Sequence, residues 1–200
     1  MRRIPTRHDL AELLPKGGVG AELGVLDGLN AQSFYRRSQP RLLHLVDLWQ
    51  GTLRPRREID GQWQEVVIDG SDALLAVNER FRLEVVAGSV QVHAMDTVAW
   101  LAQQPPSSLD WIYLDSAHDD FHVMRELHQS YRVVKAGGWI CGHDYTGVCP
   151  GVVAAVDRFC RQFSQSIAIL TDEGEVPILN RQPWMPAAAA FNSFAIEVQK

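Results

Sequence analysis

Val19-Gly20-Ala21-Glu22-Leu23-Gly24-Val25-Leu26-Asp27-Gly28-Leu29-Asn30 is the stretch on which the reading of the fold turns. Val19–Leu23 has the length and apolar character of a buried strand, and it runs straight into a glycine-bearing turn and the helical spacing of Ala31–Arg37. Glycine at a strand-to-helix turn lets the backbone approach a ligand where a side chain would collide. The helix that follows offers free N–H groups to a carboxylate or phosphate. The spacing is not the dinucleotide fingerprint: three residues separate Gly24 from Gly28, and no G-x-G-x-x-G passes through them.

Outward from this turn, the same alternation repeats. Leu42–Val46, Val90–Met95, Trp111–Leu114 and Trp139–Gly142 are short apolar runs, as expected of strands covered on both faces by helices. Between them, Asp72–Val86 and Asp119–Val134 carry apolar residues at helical spacing. The second of these predicts a helix that stops at Lys135-Ala136-Gly137-Gly138, a basic last turn and a glycine end. Pro150–Phe163 predicts another helix, and Ile167–Leu170 with Ser193–Val198 predict two final strands free to pair antiparallel. The class is α/β, with a mostly parallel sheet. Residues 1–16 read as an N-terminal arm with a helix, and residues 50–64, with Gly51, Pro55 and Gly61, as a long loop able to act as a lid.

Two hundred residues and 22.4 kDa predict one domain over 1–200. At 46% hydrophobic and 22% charged, the chain has the balance of a globular protein. A net charge of −5 argues against a nucleic-acid binder, which normally shows a basic stripe. Three cysteines, Cys141, Cys149 and Cys160, are too few for a disulfide scaffold and suit a reducing, cytoplasmic setting. The first residues have no apolar stretch of the signal-peptide kind, and no run approaches a membrane span.

Three acids close successive strands. Asp47 stands 23 positions after Gly24, where an acid in a nucleotide-type α/β fold accepts hydrogen bonds from both ribose hydroxyls. Leu48 and Trp49 follow it and are placed to pack on an adenine face. Asp96, with Thr97, closes the next strand where an adenine amino group would lie, and Asp115 closes the fourth.

Glu22-x-Gly24-x-x-x-Gly28 followed by Asp47, Asp96 and Asp115 resembles the class I S-adenosylmethionine-dependent methyltransferases. Tyr113-Leu114-Asp115-Ser116-Ala117-His118-Asp119-Asp120 and Gly137-Gly138-Trp139-Ile140-Cys141-Gly142-His143-Asp144-Tyr145 resemble the small-molecule O-methyltransferase branch that includes the macrocin-type enzymes. The match runs from Gly17 to Phe163. It implies a Rossmann-like three-layer sandwich with a seven-stranded sheet whose last strand is antiparallel, and it suggests a homodimer. It also implies that Gly24 and Gly28 border the methionine part of S-adenosylmethionine, with Asn30 near its carboxylate and Glu22 among the cofactor-binding residues. Asp47 would hold the ribose, Leu48 would pack on the adenine, Asp96 and Thr97 would lie by the adenine, and Asp115 would stand beside the transferred methyl. In metal-using relatives, the positions of Asp115, His143 and Asp144 bind Mg²⁺ or Mn²⁺, and that of His118 is placed to act as a base. The imidazole of His143 departs from the acid or amide usual there, and is a poorer partner for a hard cation.

The chemistry agrees with these roles. Methyl transfer to a hydroxyl needs the hydroxyl proton removed, and an imidazole is largely neutral near pH 7. A cation on two carboxylates would orient the acceptor oxygen. His93 reads as a satisfied core residue, and His122 and His128 as surface or packing residues. Arg54-Pro55-Arg56-Arg57 reads as a solvated loop able to meet an anionic acceptor. Trp63, Tyr145, Trp184 and Phe191 are candidate walls for a sugar or aromatic hydroxyl. Two other functions fit the same motifs: a nicotinamide-dependent oxidoreductase, for which the turn is one glycine short, and a protein that binds S-adenosylmethionine without methyltransferase activity.

Overall fold

The computed structural model describes every residue except 180–182 and 184, and every other side chain but that of Arg56. The chain begins with β1 (Arg2–Ile4) and α1 (Arg7–Leu13), then β2 (Val19–Leu23), α2 (Leu29–Ser38) and β3 (Leu42–Asp47). β4 (Thr52–Leu53), β5 (Arg56–Ile59), β6 (Gln62–Glu65) and β7 (Ile68–Asp69) precede α3 (Gly70–Arg80) and α4 (Arg82–Val86). Next come β8 (Val90–Ala94), α5 (Thr97–Gln103), β9 (Leu109–Leu114), α6 (Asp120–Val133), β10 (Val134–Gly142) and α7 (Pro150–Gln162). The chain closes through β11 (Ile169–Thr171), the paired β12 (Glu175–Pro177) and β13 (Ala188–Ala190), and β14 (Phe194–Glu197).

Eight strands form one sheet in the order β1-β11-β14-β10-β9-β2-β3-β8. Only β14 runs against its neighbours, lying between β10 and β11 and antiparallel to both. This is the expected Rossmann-like α/β sandwich with its last strand inserted antiparallel. The sheet has eight strands rather than seven because the N-terminal arm adds β1, which pairs parallel with β11 at the edge.

Every residue of β2 is buried, so its apolar run serves both layers. On one face, Ile112, Ile140 and Phe194 pack with Leu127 of α6 and Val156 and Phe159 of α7. On the other, Leu43, Leu45 and Tyr113 pack with Phe34 of α2, Val77 of α3 and Leu10 of α1. The helix over 119–134 forms as expected, because Asp119 caps it by accepting from His122 N and because Val123, Leu127, Ser130 and Val133 face inward.

Three expectations need correction. Lys135–Gly138 is not a helix stop but the opening of β10, which pairs with β9 through an irregular register between Val134 and Trp139. The single helix expected over 72–86 breaks at Phe81, whose φ of −109° leaves the helical range and whose ring is buried. The 50–64 segment is ordered as β4–β7 pairing and a β5–β6 hairpin instead of a plain loop.

His93 does prove to be a satisfied residue: His44 Nδ1 and His93 Nε2 are 3.0 Å apart, with Trp100 packed against both rings. Burial, and then His93 beside it, lowers the His44 pKa to about 4. A histidine held neutral in the fold contributes stability that is complete above its unfolded value near 6.5 and lost as pH falls towards 4. His44→Phe should therefore lose less stability than the parent between pH 7 and pH 4, by up to about 3 kcal/mol. Denaturant titrations at the two pH values measure this. Parallel losses in both proteins would exclude His44 as an acid-labile point.

Among the described residues, no helix is long and apolar enough to cross a membrane.

Candidate active site

The carboxyl ends of β10, β9, β2, β3 and β8 lie side by side; residues at the last four meet in one cleft of about 450 Å³, and those after β10, His143 and Asp144, line an adjoining pocket with Asp115 and His118. Glu22, Gly24, Asn30, Asp47, Leu48, Asp96, Thr97 and Asp115 all line it. Gly24 has φ +84°, and a Cβ there would overlap the Asp115 carbonyl, so only glycine lets β2 turn against the end of β9. Gly28 lies outside the lining. With φ +79° it starts α2, and it leaves room for Val77 and Arg80 of α3 to pack close.

Asp47 is built into the turn. Its Oδ2 accepts from Val25 N at 2.8 Å and Leu26 N at 2.9 Å, and its Oδ1 accepts from Trp49 N at 3.2 Å. The carboxylate thus ties the end of β3 to the glycine turn while bordering the cleft. Trp49 does not line the cleft. It is buried, and its indole donates to Leu26 O at 2.7 Å, pinning the same turn from behind. Glu22 accepts from Asn30 Nδ2 at 2.8 Å, while its other oxygen is buried without a partner. Burial outweighs the Asn30 bond and pushes the Glu22 pKa up to about 8, so at neutral pH it is mostly a carboxylic acid.

At the β8 end, Asp96 caps α5 by accepting from Ala99 N at 2.8 Å. Thr97 gives its hydroxyl to the buried Glu126 at 2.5 Å, and Ser116 donates to the same oxygen at 2.6 Å. His122 lies 3.4 Å from Glu126, one helical turn along α6, and lines the cleft. The sequence reading left Glu126 unnoticed and took His122 for a surface or packing residue; their i, i+4 spacing was the available signal.

The hairpin region closes the cleft from above. Leu53, Arg54, Pro55 and Arg57 line it, and Arg57 Nη2 donates to Asp27 Oδ2 at 2.8 Å, latching the hairpin to the glycine turn. The Arg57 cation is therefore already paired, and Arg54 pairs with Glu65 at 3.0 Å. Trp184 lies outside the described residues.

Beyond Asp115, two histidines and two acids form one cluster. His118 Nε2 is 2.7 Å from Asp144 Oδ2, and this bond raises the His118 pKa. The pairing commits Nε2–H to Asp144 and leaves Nδ1 as the acceptor on a side chain that is 54% exposed. Asp144 has φ +58°, turned back towards the site, and is buried. Burial alone would raise its pKa, but bonds from His118 and His143 lower it. His143 Nδ1 lies 3.2 Å from Asp144 Oδ1 and 3.6 Å from Asp115 Oδ1. Burial acts against the charged ring, yet Asp115 and Asp144 hold the His143 pKa at about 9. Its Nε2 is buried without a partner, and Phe191 stacks on the ring. The ligand atoms that converge within 4.8 Å belong to Asp115, His118 and Asp144. Of the expected metal trio, His143 stands beside this set, and His118 stands in it.

The sequence of residues 21–145 matches the family described as methyltransferase domain. The chain belongs to that family. No curated protein sequence matches it. Solved structures are similar to this methyltransferase domain in fold at low identity. A SAM-dependent O-methyltransferase from Thermotoga maritima has 13% identity and a TM-score of 0.62, over 100% of this chain and 68% of that one. A putative methyltransferase from Streptococcus mutans in complex with SAH has 14% identity and a TM-score of 0.58, over 96% and 94%. A putative rRNA-methylase from Clostridium thermocellum has 11% identity and a TM-score of 0.62, over 97% and 94%. At these identities, the likeness shows the methyltransferase architecture and not the acceptor.

Proposed function

We propose that this methyltransferase domain moves the methyl group of S-adenosylmethionine to a hydroxyl of a small molecule, with His118 and Asp144 as a base dyad. The observation that carries the reading is a cleft in which Asp47 lies between the Gly24 turn and Asp96, with the dyad in an adjoining pocket that shares Asp115. Asp47 takes the ribose, Leu48 and the Asp96–Thr97 end take the adenine, and Gly24 and Asn30 border the amino-acid tail. The acceptor hydroxyl gives its proton to His118 Nδ1 as its oxygen bonds to the methyl carbon. The carbon–sulfur bond breaks, and neutral S-adenosylhomocysteine leaves. Asp144 fixes the ring through Nε2–H and stabilises the imidazolium that forms, while Asp115 stands next to the reacting methyl. An acidic chain whose cleft arginines 54 and 57 are paired favours a small acceptor over a nucleic acid.

The convergent atoms of Asp115, His118 and Asp144 would hold a divalent cation only with the His118–Asp144 hydrogen bond given up, so ion and dyad are alternative states of the cluster; two carboxylates with an imidazole suit Mn²⁺ better than Mg²⁺. Bound there, a cation would lower the acceptor pKa and orient its oxygen. With no ion bound, His143 between the two carboxylates holds them together.

Calorimetry with S-adenosylhomocysteine and NAD tests the cofactor: the first should bind and the second should not, and the reverse would return the oxidoreductase reading. Release of S-adenosylhomocysteine during a screen of hydroxylated metabolites then tests the reaction. Dialysis against a chelator should leave S-adenosylhomocysteine affinity within twofold and depress turnover, which Mn²⁺ restores. Full turnover in excess chelator would remove the ion and leave the dyad acting alone.

A further inference from the structure

The N-terminal arm places a cation in the cleft that no motif predicted. Arg7 is the first residue of α1, and the reciprocal Thr6–Asp9 cap fixes its backbone, with Arg7 N donating to Glu173 Oε1 at 2.6 Å. β1 pairing with β11 carries this arm across the edge of the sheet. The Arg7 side chain is 28% exposed and lines the cleft, and its nearest acids, Asp115 and Glu173, both stand 4.0 Å away. Among the described residues, its guanidinium donates no hydrogen bond. Its ion pairs at 4.0 Å are too long for hydrogen bonds, so the N–H fork keeps its capacity to bind a ligand carboxylate that comes closer.

The position along the cleft says which ligand. Strand order runs Asp115 (β9), Glu22 and Gly24 (β2), Asp47 (β3), Asp96 (β8). With ribose on Asp47, one direction leads to Leu48, Thr97 and His122, a wall suited to a base. The other leads to Arg7, Asn30 and Asp115, which set a cation beside an anion. That pairing complements an α-amino acid zwitterion: ammonium towards Asp115, carboxylate towards Arg7.

We propose that Arg7 grips the α-carboxylate of the cofactor's amino-acid tail with its planar N–H fork, making the N-terminal arm part of the cofactor site. The inference rests on the function proposed above, because it takes the ligand to be S-adenosylmethionine.

Two ligands that differ only at the tail test it: S-adenosylhomocysteine and 5′-methylthioadenosine, which keeps the adenosine and thioether but lacks the amino acid. Arg7→Gln should weaken S-adenosylhomocysteine roughly ten- to hundredfold by calorimetry and leave methylthioadenosine within twofold, while Arg7→Lys recovers part of the loss. Unchanged S-adenosylhomocysteine affinity in Arg7→Gln overturns the proposal. Equal losses for both ligands overturn it too, because Arg7 would then hold the arm and not the tail. If neither ligand binds the unaltered protein, the proposed function fails instead.

Discussion

His118→Ala should lower turnover by about 10²–10⁴-fold, the range of a lost general base, while S-adenosylhomocysteine binds within about twofold of its original affinity. The reason is geometric. His118 Nε2 is committed to Asp144 at 2.7 Å, so Nδ1 on an otherwise half-exposed ring is the atom left to take a proton. Removing the ring takes away the acceptor of the proton and touches none of the groups assigned to ribose or adenine. Steady-state rates give the split between kcat and cofactor affinity. A variant that keeps full turnover would move the proton to another group, and equal losses in turnover and binding would place His118 in the cofactor wall.

Asp47→Ala should weaken S-adenosylhomocysteine by at least tenfold, and by about a hundredfold if the turn also loosens. Two bonds from ribose hydroxyls to a charged acceptor contribute roughly 1.5–3 kcal/mol each. The same carboxylate holds Val25 N, Leu26 N and Trp49 N, so alanine leaves three backbone donors without their acceptor and lets the glycine turn drift. The variant should therefore unfold at lower denaturant as well. Asp47→Asn keeps one acceptor oxygen for the turn, which separates the two effects: it should regain more stability than affinity. Calorimetry beside denaturant titration reads both, and unchanged affinity in Asp47→Ala would mean the ribose is held elsewhere.

The central strands were legible because a sheet covered on both faces buries every residue of a strand. Trp111–Leu114 therefore reads as an unbroken apolar run, and Val19–Leu23 as one interrupted only by Glu22. The Gly24 turn was legible because a backbone that passes against Asp115 tolerates no side chain. Asp47 and Asp115 were legible because an acid directly after an apolar run must lie at a strand end. The hairpins over 50–69 were not legible: exposed two-sided strands such as Gln62–Glu65 have no core face to impose alternation. β1 was invisible for a related reason, since three residues at an edge owe their strand to β11 and not to their own pattern.

By itself, the sequence determined the layered α/β class and the cluster of acids at the carboxyl edge, because burial and turn chemistry act over a few neighbouring residues; the inserted antiparallel last strand was implied by the family resemblance. Tertiary structure alone decided which side chains from distant segments meet in the cleft and in the pocket beside it. Arg7 reaches it from the first helix, Glu126 gathers Thr97 and Ser116 from the sixth, and Asp144 turns back to make His118 a dyad. No local pattern contains these contacts. They come from the order in which β10, β9, β2, β3 and β8 lie side by side, which places residues far apart in the chain at neighbouring strand ends about 5 Å apart.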